Sequence, residues 1–225
     1  MSDSSSHHLL VVAAHPDDET FGCGGTIALE RANGNPVTVC CLTGTVARHR
    51  ELEAACETLG AKVIALKAKD MTLTISDVTK TLIPIIHEKR PEVIISHSAE
   101  DYHPDHRIVH EAVLRAAEWA GHSTQYKSKA WRPKRLLFME INNLLSMPTV
   151  LVDISDYIEL KTDAIYEYAS QMKKTEEYYL FFNLQKGRLR GLQAGTEYAE
   201  AFQEILMPIH GPFYSPTPTV KTIFS

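Results

Sequence analysis

Leu9-Leu10-Val11-Val12-Ala13-Ala14-His15-Pro16-Asp17-Asp18-Glu19 joins a short apolar run to an abrupt proline and a crowd of charge. The apolar half, rich in Leu and Val, has the character of a strand buried on both faces of a parallel sheet. Residues behind such a strand lie at its carboxyl end, where open α/β sheets place their chemistry. One imidazole and three carboxylic side chains stand there, at His15, Asp17, Asp18 and Glu19. Carboxylates this close repel one another unless a cation sits among them, so a bound metal ion is expected. The glycines of Phe21-Gly22-Cys23-Gly24-Gly25-Thr26 predict a tight turn into a helix beginning near Thr26.

Outward from this stretch, strand and helix alternate. Strands are expected at 9–14, 36–42, 63–66 and 92–96, with helices at 26–33, 48–59 and 77–89 between them, the last capped by Asp77. This rhythm predicts a doubly wound, mostly parallel sheet. A helix follows His103-Pro104-Asp105-His106 and runs to about Ala120. Residues 121–133 read as a long polar loop whose Lys127, Trp131 and Arg132 would line the mouth of a site. Two further strands are expected at 135–140 and 149–152, then a helix capped by Ser155 or Asp156 and running to Met172. A short helix at 198–205 and a Pro-rich tail that could pack on a neighbouring copy complete the expectation.

The 225 residues are expected to form one domain, with a flexible start over residues 1–8. A net charge of −5 offers no broad basic surface, which disfavours nucleic acid and anionic membranes as partners. No apolar run approaches the ~20 residues of a membrane span, and the polar first residues do not resemble a signal peptide. The four cysteines, Cys23, Cys40, Cys41 and Cys56, are few and irregularly spaced. Reduced thiols in a cytoplasmic protein are expected.

His15, Asp18 and His106 make a set of two imidazoles and one carboxylate that leaves a position open for water, as catalytic zinc sites do. The bland reading, in which these residues are turn formers and caps, fits His106 taken singly better than it fits two clusters at two strand ends. His106 stands near the positive end of a helix, which favours the neutral imidazole. Asp17 is spare as a ligand and becomes the general base. His103 becomes the donor to an oxyanion, with Asp105 orienting it and keeping it protonated. His110 is taken as a packed histidine behind the ligands, while His97 and His49 stay open and His7 and His8 fall in the flexible start. Metal, carboxylate base and imidazolium together describe hydrolysis of an amide or ester.

His15-Pro16-Asp17-Asp18-Glu19 with Gly24-Gly25, and His103-Pro104-Asp105-His106, resemble the two signature motifs of the LmbE-like, or PIG-L, family of zinc-dependent N-deacetylases. Arg48-His49-Arg50-Glu51-Leu52, Ser170-Gln171 and Tyr198-Ala199-Glu200-Ala201-Phe202 are similar to later landmarks of that family. The resemblance implies a Rossmann-like sheet with helices on both faces and an elaborated C-terminal part. It also implies one zinc, or another divalent ion, held by His15, Asp18 and His106, with Asp17 as base and His103 stabilising the transition state. The substrate so implied is a small N-acetylated sugar conjugate. Arg48 then contacts substrate, against an even alternative in which it merely pairs with Glu51.

Three rivals come from other classes, one of them a non-catalytic protein that keeps the metal for stability, against which the unliganded Asp17 and His103 argue. A nucleotide-binding module is disfavoured because Gly22-x-Gly24-Gly25 lacks the G-x-G-x-x-G spacing and three acids would repel a pyrophosphate. A non-haem iron oxygenase can use two histidines and a carboxylate, but it has no need of Asp17 and His103 beside them.

Overall fold

A computed structural model of the chain describes residues 7–207. Five parallel strands form the frame: β1 (Leu9–Ala13), β2 (Val37–Thr43), β3 (Lys62–Ala68), β4 (Val93–His97) and β5 (Arg135–Met139). Two more, β6 (Val150–Asp153) and β7 (Ala199–Leu206), extend the sheet, β7 running antiparallel to both β5 and β6. The order is β3-β2-β1-β4-β5-β7-β6. The chain leaves β1 toward β2 and returns on the other side of β1 as β4. A crevice therefore opens between the carboxyl ends of β1 and β4, the switch point at which such sheets bind ligands.

Alternate side chains of β1 serve two cores. Leu9 and Val11 pack with α1 (Asp18–Ala32), α2 (Val46–Leu59) and α6 (Ile158–Tyr166) on one face. Leu10 and Val12 pack with α3 (Ile75–Lys89) and α4 (Pro104–Ala120) on the other. Full burial of Leu9-Leu10-Val11-Val12-Ala13 on both faces is what the unbroken apolar run encodes.

Several local expectations change. The first helix begins at Asp18, not Thr26, and the glycines lie inside it. Its continuity breaks at Cys23, whose φ and ψ are non-helical. Gly25 N and Thr26 N, freed by that break, donate to the Glu200 carboxylate at 2.9 and 2.8 Å. The glycines serve close packing: a Cβ on Gly22 would meet Met139 and one on Gly25 would meet Ile154. Thr74, rather than Asp77, caps α3 by accepting from Asp77 N at 3.1 Å.

The polar stretch 121–133 holds a short helix, α5 (Ser123–Tyr126), and one 3-10 turn. Trp131 Nε1 donates to Pro91 O at the amino end of β4, so this stretch is remote from the crevice. The helix expected to reach Met172 breaks near Tyr168 into α6 and α7 (Ala169–Thr175), and α8 (Tyr178–Ala194) follows. The helix expected at 198–205 is the strand β7. There Ala199, Ala201 and Phe202 are buried in a sheet whose pairing overrides the helical leaning of Ala and Glu. His7 pairs with Glu30 at 3.0 Å and His8 meets Thr38 at 2.9 Å. The Pro-rich tail and residues 1–6 lie outside the described residues. Among the described residues, no helix is long and apolar enough to cross a membrane.

Candidate active site

β1 ends by delivering His15 and the first turn of α1 to the crevice, and β4 delivers the loop that leads into α4. His15 Nδ1, Asp18 Oδ2 and His106 Nε2 form a triangle with all three sides at 3.3 Å. Zinc bonds of about 2.0–2.2 Å at tetrahedral angles put donor atoms ~3.3–3.5 Å apart, so the triangle fits one face of a tetrahedral cation site. His15 N holds Asp18 Oδ2 at 2.8 Å, locking the carboxylate into this arrangement.

Each imidazole is backed by a carboxylate. His106 Nδ1 donates to Asp101 Oδ2 at 2.9 Å, and Asp101 also accepts from His103 N and Asn142 Nδ2. His15 Nε2 lies 3.2 Å from Asp105 Oδ2, which also accepts from Met71 N. Such carboxylate–histidine pairs fix the tautomer that points a lone pair at a metal. Asp105 therefore supports His15, not His103 as the spacing suggested. Its only bond to His103 runs from its own N–H to His103 Nδ1, at the start of α4. Asp101 escaped the sequence reading, although its place just after the strand and five residues before His106 carries the signal of an orienting acid.

The charge balance suits a cation. Burial opposes charge on Asp18, yet the fields of His106 and His97 hold its carboxyl well below the usual range. Burial likewise opposes charge on the two histidines, but Asp18 and Asp105 push His15 up to about 9, and Asp18 and Asp101 push His106 to about 10. Burial and the charges of His106 and His15 push His103 down from its ordinary value. With Nδ1 accepting from Asp105 N, its proton sits on Nε2.

Asp17 stands in the left-handed region at φ 116°, held there by Glu19 Oε2 on its N–H. Glu19 is itself fixed by Thr20 and the Tyr168 hydroxyl. Burial and the neighbouring Asp18 push the Asp17 carboxyl up, while Arg48, 2.7 Å from Asp17 Oδ2, pulls it down. Arg48 also bonds Glu51 at 2.6 Å and Ser170 at 3.0 Å, so it is paired with acids on both sides.

His97 is fully buried, stacks on His106 at 4.0 Å, and accepts from Ala14 N at 2.8 Å. That bond occupies the ring nitrogen nearest Asp18, leaving His97 a poor fourth ligand although it lies among potential donors. His110 bonds the His97 carbonyl and packs on Phe138, and His49 bonds Thr43 O. A cleft of about 340 Å³ opens over the triangle, lined by Asp17, His103, Arg48, Asp70, Lys174 and Tyr179 among others. Lys127, Trp131 and Arg132 are not on it.

Residues 10–117, which carry both histidine clusters, match the family model PIG-L, described as GlcNAc-PI de-N-acetylase. A probable N-acetyl-alpha-D-glucosaminyl L-malate deacetylase 2 of Bacillus cereus is 33% identical, over 73% of this chain and 83% of its own length. The chain belongs to the PIG-L family. Among solved structures, the conserved protein TT1542 of Thermus thermophilus superposes with a TM-score of 0.82 at 30% identity, covering 93% of this chain and 99% of that one. The 4-carboxy-2-hydroxymuconate hydratase GalB of Pseudomonas putida superposes with a TM-score of 0.79 at 25% identity, over 92% of this chain and 100% of that one. PIG-L membership accounts for the sheet order, the crevice and the two motifs together.

Proposed function

We propose that the protein is a zinc-dependent hydrolase that removes the acetyl group from the amine of an N-acetylglucosamine-type conjugate. The observation that carries this reading is the equal-sided triangle of His15, Asp18 and His106, flanked by a carboxyl and an imidazole that it does not use. His15, Asp18 and His106 would hold the zinc, which when bound would supply a water of lowered pKa, from about 15.7 toward about 7, and a Lewis acid for the carbonyl. Asp17, beside the donor triangle and not part of it, takes the proton of the attacking water. His103 donates its Nε2 proton as a hydrogen bond to the carbonyl oxygen as negative charge grows there. Asp17 then returns a proton to the departing nitrogen, leaving acetate and a free amine. Arg48 acts on Asp17 rather than on the sugar, since its guanidinium is taken up by Asp17, Glu51 and Ser170. Family membership and the deacetylase relatives support the same reaction. The chain acts as a single catalytic domain in the cytoplasm, in keeping with four buried, unpaired cysteines.

Likeness to the GalB hydratase favours one second reading, addition of water to the double bond of an unsaturated acid by the same base. A panel of N-acetylated aminosugars, assayed for primary amine with and without chelator, tests the first. Amine release that disappears with chelator and returns with zinc is expected. Silence across the panel, with loss of ultraviolet absorbance from an unsaturated dicarboxylate, would give the site to the hydratase reading.

A further inference from the structure

We propose that Tyr168 is a positioning residue for the general base and holds Asp17 from two sides. Its hydroxyl fixes the Asp17 backbone through Glu19, and its ring carries the guanidinium that fixes the Asp17 carboxylate. This rests on the assignment of Asp17 as base in the reading above and adds how the fold aims it.

Asp17 needs such support. Its φ of 116° is a conformation that residues with a Cβ rarely adopt, and it persists only where surrounding contacts over-determine it. One such contact is the bond from Asp17 N to Glu19 Oε2 at 3.2 Å. Glu19 is fully buried, and its other oxygen, Oε1, accepts from Thr20 Oγ1 at 2.6 Å and from the Tyr168 hydroxyl. Thr20 is the next residue in the chain and moves with Glu19. Tyr168 comes from 149 residues further on and is the outside anchor.

The second hold is on the side chain. The guanidinium carbon of Arg48 lies 5.3 Å from the centre of the Tyr168 ring, within the range at which an aromatic face attracts a cation. The same guanidinium bonds Asp17 Oδ2 at 2.7 Å and also Pro16 O. Tyr168 is itself well fixed. It is fully buried at the break between α6 and α7, where its N donates to Ile165 O at 3.1 Å and its O accepts from Gln171 N at 2.9 Å. Two residues on, Ser170 donates to both oxygens of Glu51, the acid that grips Arg48 from the other side. A phenylalanine would satisfy packing alone; the hydroxyl is needed only for the bond to Glu19.

The test compares zinc-loaded wild type, Tyr168→Phe and Tyr168→Leu on the N-acetylated aminosugar that the enzyme turns over fastest. Tyr168→Phe keeps the ring and should keep the zinc, yet lose about tenfold in kcat at unchanged KM, the cost of a base let out of line. Tyr168→Leu also removes the ring beside Arg48 and should lose more. In an Asp17→Asn background there is no base to aim, so Tyr168→Phe should leave the residual turnover as it is, whereas a general loosening of the fold would lower it again. Exchange of the Asp17 amide proton for deuterium, followed by NMR, should be about tenfold faster in Tyr168→Phe. Unchanged kcat or unchanged amide exchange in Tyr168→Phe, equal losses in the Phe and Leu variants, or a further loss in the Asp17→Asn background would each overturn the proposal. Absence of turnover across the aminosugars would instead overturn the deacetylase reading, and amide exchange, which needs no substrate, would then decide the hold on Asp17 by itself.

Discussion

Oδ2 of Asp101 lies 2.9 Å from Nδ1 of His106, while Nε2 of the same ring faces Asp18 at 3.3 Å. The imidazole is thus gripped on one side and aimed on the other. Asp101→Asn keeps the size and the contact with Asn142 but removes the charge that sharpens the lone pair. Zinc affinity, read by competition with a chromogenic chelator, is expected to fall about 10- to 100-fold. An unchanged affinity would mean that His106 is positioned without Asp101.

The frame of this site was legible in the sequence because an unbroken apolar strand followed by Pro and acids has few other meanings. His15, Asp18 and His106 are brought together as the two strand ends predicted. Asp105 was misread because sequence proximity favoured His103, whereas the helix turns its carboxylate toward His15 across the crevice. The C-terminal third was less legible. Ala199-Glu200-Ala201 has helical propensity, and its strand state depends on pairing with β5 and β6 and on a buried charge pair that no local pattern announces.

Asp17 and His106 make different demands on the reaction. Asp17→Asn should keep a full zinc complement by elemental analysis and lose about 10²- to 10⁴-fold in kcat. His106→Ala should lose the metal itself. Should the Asp17→Asn protein turn over normally, the base lies elsewhere; should His106→Ala retain one zinc per chain, the donor triangle is misassigned.

His103 meets the substrate oxygen only as charge develops. Replacement by Ala should lower kcat by about 10²- to 10³-fold with KM nearly unchanged, the pattern of a contact made in the transition state. A rise in KM at constant kcat would move His103 to ground-state binding.

Glu200 links β7 to α1 and α6. It accepts from Gly25 N, Thr26 N and Thr26 Oγ1, and one of its oxygens lies 2.7 Å from Lys161 Nζ, all of them buried. Glu200→Ala strands a buried ammonium and two backbone donors at the helix break. Urea unfolding should show a loss of about 3–5 kcal/mol. Adding Lys161→Met to that variant should recover part of it by removing the uncompensated charge; no recovery would show that the capping bonds, not the ion pair, carry the stability.

Lys186 gives the molecule a pH dependence that can be isolated. Its amine is buried, donates to Glu140 O at 2.9 Å and Phe21 O at 3.3 Å, and is pushed down to about 7 by burial and by Lys161. In the unfolded chain a lysine titrates near about 10.4. Below about pH 7 both states hold the proton, and the cost of burying the charge is fully present. Between about pH 7 and pH 10 the unfolded chain holds the extra proton, so each rise in pH favours the folded state. Lys186→Met lacks this group while sharing the other titrating side chains. The stability of the wild type relative to Lys186→Met, from urea unfolding at pH 6, 7, 8 and 9, should therefore be flat below pH 7 and climb above it. A difference that stays level through pH 9 would mean that the buried amine keeps its proton in the folded protein, its affinity sustained by Glu140 and Glu200 despite desolvation.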